Sequence, residues 1–389
     1  MTSAPYDILI VDPGMAQNFG HHYAYNRALR GWCAAKGARN RFLFSRHVPA
    51  ELLAEFPGGQ GVFAWSPYLP PSLPGEGPKE ALRRTAEAFA AELRAHIEVD
   101  AATLVFAHTL DPASLYGFAL WQAALPESRR PRLALNVMLG VVDNAAGREM
   151  LAPACAILGQ TDRARLFGGS KATARLLSEL SGRVCAMLPT PLPTGLERFR
   201  TEGTGGLLFG TAGDARMGKN LHILAPAILR YLAGGGAGRF HIHLTPTDEA
   251  LIPALLPLHD LSREYPERIV LEWKYLSEAE YLTRLGGFTA LIIPYRSEEY
   301  HVCRPSGLVV EATALGVPFV ACAGGFAEDE IASLNNGSFF MAKADPKELA
   351  RALALFEREK DARKAGALAV APAYAAGHGL DAIMRLVLG

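Results

Sequence analysis

A glycine turn followed at once by cations, Gly213 and then Arg216 and Lys219, is one of two places in this sequence where residue types and spacing point to chemistry. The other is Arg304, Ser306, Gly307 and Glu311, which open a helical stretch after a polar loop holding Glu298 and Glu299. Glycine lets a backbone approach a ligand, a guanidinium clamps two anionic oxygens, and the first N–H groups of a helix have no partner within it. Together they favour an anion, which cations and oriented N–H dipoles stabilise. Lys219 also reads as a solvated helix start, and Glu311 as a plain surface carboxylate. In the first half, the string from Asp12 to Leu29 follows a strand and carries Gly14, Gly20, His21 and His22. It lacks GxGxxG, so no dinucleotide fingerprint is present. The two histidines fit either a ligand-facing role or one cap and one buried ring; with no third ligand nearby, a metal is not expected. His108 ends an apolar run at what would be the carboxyl edge of a sheet, where ligands bind, with Asn136, Thr161 and Asp162 at comparable edges. His241 and His243 share one strand face and read as packing residues.

The elements that must position these groups alternate. Continuous apolar runs, YDILIV, RFLFS, GVFAW, ATLVFA, RLALNVM and CAILGQ, mark strands covered on both faces, the pattern of a parallel sheet. Between them Leu82, Ala86, Phe89, Leu93 and Ile97 form the apolar side of an amphipathic helix. The alternation resumes with LLFG, FHIHL, IVLEW, TALIIPY and VPFVAC, with helices expected near Asn220, Asp248, Ser277, Ser306 and Ala327. A proline- and glycine-rich stretch from Leu188 to Gly205 separates the two sets and reads as a linker. The irregular stretch from Ser66 to Pro78 reads as a surface loop.

A length of 389 residues exceeds one core at roughly 150 residues per domain, so two or three domains are expected. The formal net charge is +0, which removes the broad attraction that nonspecific nucleic-acid binding needs. The five cysteines form no CxxC pair and read as buried thiols. No apolar run approaches the ~18 residues of a membrane span, and no leader is evident, so a cytoplasmic location is expected.

The order of LLFGTAGDARMGKNLHIL, WKYLSEAEYLTRLGGFTALIIPY and PSGLVVEATALGVPFVACAGG resembles the retaining glycosyltransferases of the GT-B superfamily, the glycogen synthase-like group. The resemblance implies an α/β fold of two Rossmann-like, doubly wound parallel-sheet domains facing a central cleft. Residues 1–190 would bind the acceptor and 191–370 the nucleotide sugar, and a helix from Ala371 to Leu388, within 371–389, would return to the first domain. It implies transfer of a hexose from a nucleotide sugar, such as a UDP- or GDP-hexose, to a saccharide or lipid-linked acceptor, with retention, without a metal and without a cofactor. Gly213, Arg216, Lys219, Arg304, Ser306 and Gly307 would meet the diphosphate, Glu311 the ribose, Gly20 and His21 the donor from the first domain, and His108 the transferred sugar. The family's second glutamate, eight positions before the first, falls on Cys303; Glu298 or Glu299 would replace it. The family's arginine and lysine fall on Thr211 and near Met217, so Arg216 and Lys219 substitute by proximity. An epimerase or phosphorylase on the same fold, and an inactive binding protein, are the alternatives.

Between Asp12 and Glu51 the chain carries Arg27, Arg30, Lys36, Arg39, Arg41 and Arg46 and no carboxylate. Such a concentration would attract anionic lipid headgroups, so the Arg27 to Arg46 region fits either a solvated helix face or peripheral contact with the inner membrane face to reach a lipid-linked acceptor.

Overall fold

The computed structural model describes residues 7–18, 20–67, 73, 75–139, 145–201, 206–245, 247–295 and 303–389. The chain divides into two compact units, residues 1–193 with 379–389, and residues 194–378. The divisions expected at 190 and 370 lie close to these. The second is displaced because one helix runs on through residue 370.

Unit 1 is a parallel sheet with helices in its crossovers. In chain order it comprises β1 (Asp7–Asp12), α1 (Gly20–Lys36), β2 (Arg39–Ser45), α2 (Ala50–Leu53), β3 (Gln60–Phe63), α3 (Pro78–His96), β4 (Leu104–Leu110), α4 (Pro112–Ala124), β5 (Arg132–Val137), α5 (Ala145–Gly159), β6 (Ala164–Gly168), α6 (Lys171–Ser181) and β7 (Ala186–Met187). The strand order is β3-β2-β1-β4-β5-β6-β7. Every residue of β4 is buried, as the unbroken apolar run requires. The run CAILGQ, expected as a strand, is instead the end of α5, and β6 follows it. Only Cys155 and Leu158 of the run are buried, but the exposed Ala156 and half-buried Ile157 are apolar as well, so the letters show no period that separates helix from strand. Thr161 and Asp162 therefore precede β6 and sit at the amino edge of the sheet, away from the carboxyl edge.

Unit 2 repeats the plan with β8 (Leu208–Thr211), α7 (Leu224–Ala233), β9 (Arg239–His243), α8 (Ile252–Glu264), β10 (Ile269–Glu272), α9 (Glu278–Gly287), β11 (Ala290–Ile293), α10 (Gly307–Ala314), β12 (Phe319–Cys322), α11 (Phe326–Ile331), β13 (Phe339–Met341) and α12 (Pro346–Gly377). Its strands lie in the order β10-β9-β8-β11-β12-β13, all parallel. Its core joins Phe209, Phe240 and Tyr231 to Phe356 of α12. A β-carbon at Gly210 would stand 2.1 Å from the Phe288 ring, so glycine is what lets that ring cover β8.

The chain ends in α13 (Leu380–Leu388), which belongs to unit 1. Its Ile383, Met384 and Val387 join the core beneath α1, and Asp381 receives the Trp32 indole N–H at 2.8 Å and the Lys36 ammonium at 3.1 Å. The single helix expected from Ala371 to Leu388 is thus two, parted at His378 and Gly379. Among the described residues no helix is long and apolar enough to cross a membrane.

Candidate functional site

Each sheet reverses its winding at one point, and in open α/β sheets the crevice at the carboxyl ends of the strands flanking that point is where ligands bind. In unit 1 the reversal falls between β1 and β4, and in unit 2 between β8 and β11.

In unit 1 the last residue of β1 is Asp12, wholly buried. Its carboxylate gathers four groups. His22 Nδ1 lies 2.7 Å from Oδ1, Asn26 donates to Oδ2 at 2.6 Å, the Gly14 N–H donates to Oδ1 at 3.1 Å, and His108 Nε2 stands 3.4 Å from Oδ2. His22 and Asn26 are one helical turn apart on α1, which aims both at the strand end. Burial pushes the Asp12 carboxyl up, but His22 and then His108 outweigh it and hold it well below the usual carboxylate range. A β-carbon at Gly14 would meet the His22 ring at 2.2 Å, so the loop's glycine is what admits that ring. Gly20, which opens α1, has φ 81°, a conformation that favours glycine. His21 is exposed, its ring 4.2 Å from that of His22. His108 shows no accessible surface, and its Nδ1 meets Thr109 Oγ1 at 2.9 Å while Asn136 donates to its carbonyl at 2.8 Å. It forms a wall of the Asp12 cluster.

Removing Asp12 leaves two imidazoles and an amide without their shared acceptor. Asp12→Ala is therefore expected to cost about 3–5 kcal/mol, the usual effect of breaking a buried pair, read by urea unfolding. The folded-state value is depressed, so the stabilisation is full above the unfolded value of 3.8 and is lost as pH falls through the lower folded value. The gap between wild type and Asp12→Asn should then narrow below that pH; a gap that stays constant would discard the ion-pair account.

In unit 2 the turn after β8 carries Gly213 at φ 84°, then Asp214, Arg216 and Lys219. Asp214 receives the Lys219 ammonium on Oδ1 and the Arg216 guanidinium on Oδ2. Lys219 is buried within a short 3-10 turn, Met217–Lys219, and its ammonium lies 5.5 Å from the centre of the Tyr295 ring. The helix expected near Asn220 begins only at Leu224, after a second 3-10 turn, Leu221–Ile223. His243, at the end of β9, accepts from the Gly213 N–H at 3.3 Å through Nδ1 and donates from Nε2 to the Lys274 carbonyl at 3.0 Å. It ties two strand-end loops together rather than filling the core. His241 instead meets Glu272 at 3.0 Å.

Across the reversal, Ser306 caps α10 and Gly307 is its first residue, exposed, with nothing within 4 Å of a β-carbon built there. Arg304 is half-buried just before the cap. Arg200 donates to the Ala314 carbonyl at the far end of α10 at 2.8 Å, which complements the helix dipole. Glu311 projects from α10 and accepts from the Tyr281 hydroxyl of α9 at 2.9 Å. Burial pushes the Glu311 carboxyl up to about 7, the Tyr281 bond opposing and Glu278 adding to the shift. Tyr281 also feels Tyr295 and Asp214, which places Glu311 and the Gly213 turn in one neighbourhood. Tyr295, Ser306 and Val309 line a hollow with Cys322, Gly325 and Phe326. Glu298 and Glu299 lie outside the described residues.

Of the residues expected from sequence, unit 2 therefore brings together Gly213, Arg216, Lys219, Ser306, Gly307 and Glu311. Asp12, Asn26, Asp214, His243 and Tyr281 are the additions. Asp12 was legible as a carboxylate ending an apolar strand; nothing in the spacing marks the others. In the basic region of unit 1, Lys36 pairs with Asp381 and Arg39 with Asp7 at 3.9 Å, both at the surface, while Arg30 and Arg41 donate to the backbone carbonyls of Glu55 and Glu98 and keep their charge. Among the described residues no group of three or more His, Cys, Asp or Glu is arranged to hold a metal ion.

No protein-family model matches the sequence, and no curated protein matches it. Solved structures do match in shape. Sucrose-phosphate synthase from Thermosynechococcus elongatus aligns with a TM-score of 0.66 at 17% identity, over 97% of this chain and 96% of that one. HepE from Anabaena, solved with UDP and glucose, aligns at 0.64 with 14% identity over 98% of both chains. A glycosyltransferase from Rickettsia africae aligns at 0.64 with 11% identity, over 99% of this chain and 97% of that one. At such identities the likeness is one of fold. Two parallel sheets, each reversing about its own switch point and matched to these enzymes over nearly the whole length, give this chain the GT-B glycosyltransferase fold.

Proposed function

We propose that the chain is a glycosyltransferase that moves a hexose from a UDP-hexose to a saccharide acceptor, with retention and without a metal. The observation that carries this reading is the meeting, at the unit 2 switch point, of the Gly213 turn with its two cations and the amino end of α10 with Glu311. Arg216, Lys219 and the first N–H groups of α10 take the diphosphate, with Arg304 as a second guanidinium, while Glu311 accepts from the vicinal ribose hydroxyls. The choice of UDP follows the ligand named for HepE. As the bond from the anomeric carbon to phosphate breaks, its electron pair goes to the diphosphate. The acceptor oxygen forms the new bond on the same face, and its proton passes to that phosphate oxygen. Unit 1 holds the acceptor, with Gly20 and His21 at its ligand-facing loop. The Asp12 cluster, His108 included, fixes the loop's shape. Glu298 or Glu299 takes the hydroxyls of the transferred sugar in place of the glutamate missing at Cys303.

A thermal-shift screen of UDP, GDP, ADP, TDP and CMP sugars tests this. A ligand at a hundred times its dissociation constant adds ~2.7 kcal/mol of stability, so UDP-hexoses should raise the melting temperature by several degrees and the others should not. A flat response to every nucleotide sugar would overturn the proposal.

A further inference from the structure

Asp214 offers two oxygens to the same two cations that a diphosphate would use: Oδ1 to Lys219 and Oδ2 to Arg216. Burial pushes its carboxyl up, but Lys219 and Arg216 outweigh this and hold it below the usual carboxylate range, so it is charged at neutral pH. The two positive charges of the turn are thereby reduced to one net charge. The Asp214 side chain keeps 27% of its surface, within reach of a ligand, whereas Lys219 keeps 8% and has Tyr295 beside it. Lys219 is therefore held in place by its surroundings as well as by Asp214, and a ligand finds the ammonium already aimed.

We propose that Asp214 is a specificity-determining residue of this turn, an internal anion that a diphosphate displaces from Arg216 and Lys219 and whose charge disfavours a free nucleoside diphosphate more than a sugar-esterified one. The inference rests on the reading that the Gly213 turn receives the donor's diphosphate. Free UDP carries about three negative charges near pH 7.5, because its terminal phosphate has a second ionisation near 6, and the esterified form carries about two. Repulsion from one fixed carboxylate grows with the ligand's charge. The empty site is satisfied, and the carboxylate offsets more of the cations' attraction for the more highly charged product than for the donor.

Calorimetric titration of the full chain with UDP and UDP-glucose, or with the nucleotide pair that the thermal-shift screen selects, tests this in wild type, Asp214→Asn and Asp214→Glu. Removing one like charge a few ångströms away is expected to tighten UDP binding by about tenfold or more in Asp214→Asn, and nucleotide-sugar binding by less. Asp214→Glu, which keeps the charge, should stay close to wild type. Equal or weaker UDP binding by Asp214→Asn, beside normal binding by wild type, overturns the role of Asp214 and leaves the diphosphate site standing. Failure of every protein to bind either ligand overturns the site itself. If Asp214→Asn does not fold, as judged by its melting curve, Asp214→Ser is read in the same way.

Discussion

Replacing Glu311 by alanine is expected to abolish nucleotide-dependent stabilisation and to reduce kcat/KM by about 10²–10⁴. Hydrogen bonds to a charged group contribute about 1.5–3 kcal/mol each, and two ribose hydroxyls lose their acceptor together. The fold should survive, because Glu311 is half-buried and makes its hydrogen bond to Tyr281 outside the apolar side of α10 formed by Val309, Val310, Ala312 and Thr313. An Ala variant that still melts higher with a nucleotide sugar would remove Glu311 from the site.

The raised ionisation of Glu311 adds a pH signature. Its folded value, about 7, lies above the unfolded 4.5, so this group stabilises the ligand-free fold below 4.5, and that stabilisation is lost as pH rises through 7. Ribose hydroxyls donate best to the ionised form. Nucleotide-sugar affinity should therefore rise between pH 6 and 8, a range in which the esterified diphosphate does not itself titrate. Glu311→Gln should bind weakly and flatten that profile. A wild-type profile as flat as that of Glu311→Gln would show that the ionised carboxylate is not the acceptor.

The parallel architecture was legible because strands covered on both faces are apolar with little interruption, as in β4, β11 and β12, each buried at every position. The failure at CAILGQ arises because the exposed Ala156 and half-buried Ile157 are apolar too, which hides the helical spacing of the buried Cys155 and Leu158. Gly213, Ser306 and Glu311 were readable because turn, cap and carboxylate each need a particular residue type at a particular place. Asp214 and His243 were not. Their partners are set by how β8, β9 and β10 lie side by side, so that His243 reaches Gly213 on one neighbour and Lys274 beyond the other. Distance along the chain carries no trace of that pairing. For Asp12 the sequence placed a carboxylate at a strand end, but only the arrangement of α1 and β4 shows that two histidines and an asparagine converge on it.

Lys219→Met should lower kcat by about 10²–10³ with a smaller change in KM, the effect of withdrawing one preorganised charge from a developing anion. The substitution keeps the length of the stem and removes the ammonium. Asp214 retains Arg216, so the carboxylate is not left alone. Circular dichroism should report an unchanged fold, and the thermal shift with UDP should shrink without vanishing, because the α10 amides and Glu311 remain. The pairing with Asp214 sharpens the test. If Lys219 acts on the diphosphate only after release from Asp214, Asp214→Asn should increase UDP binding in wild type and much less in Lys219→Met, a non-additivity that neighbouring charges produce and independent sites do not. Additive effects, or a Lys219→Met enzyme of full activity, would mean that Lys219 is a structural cation bound for good to Asp214, and that Arg216 and the helix amides carry the leaving group alone.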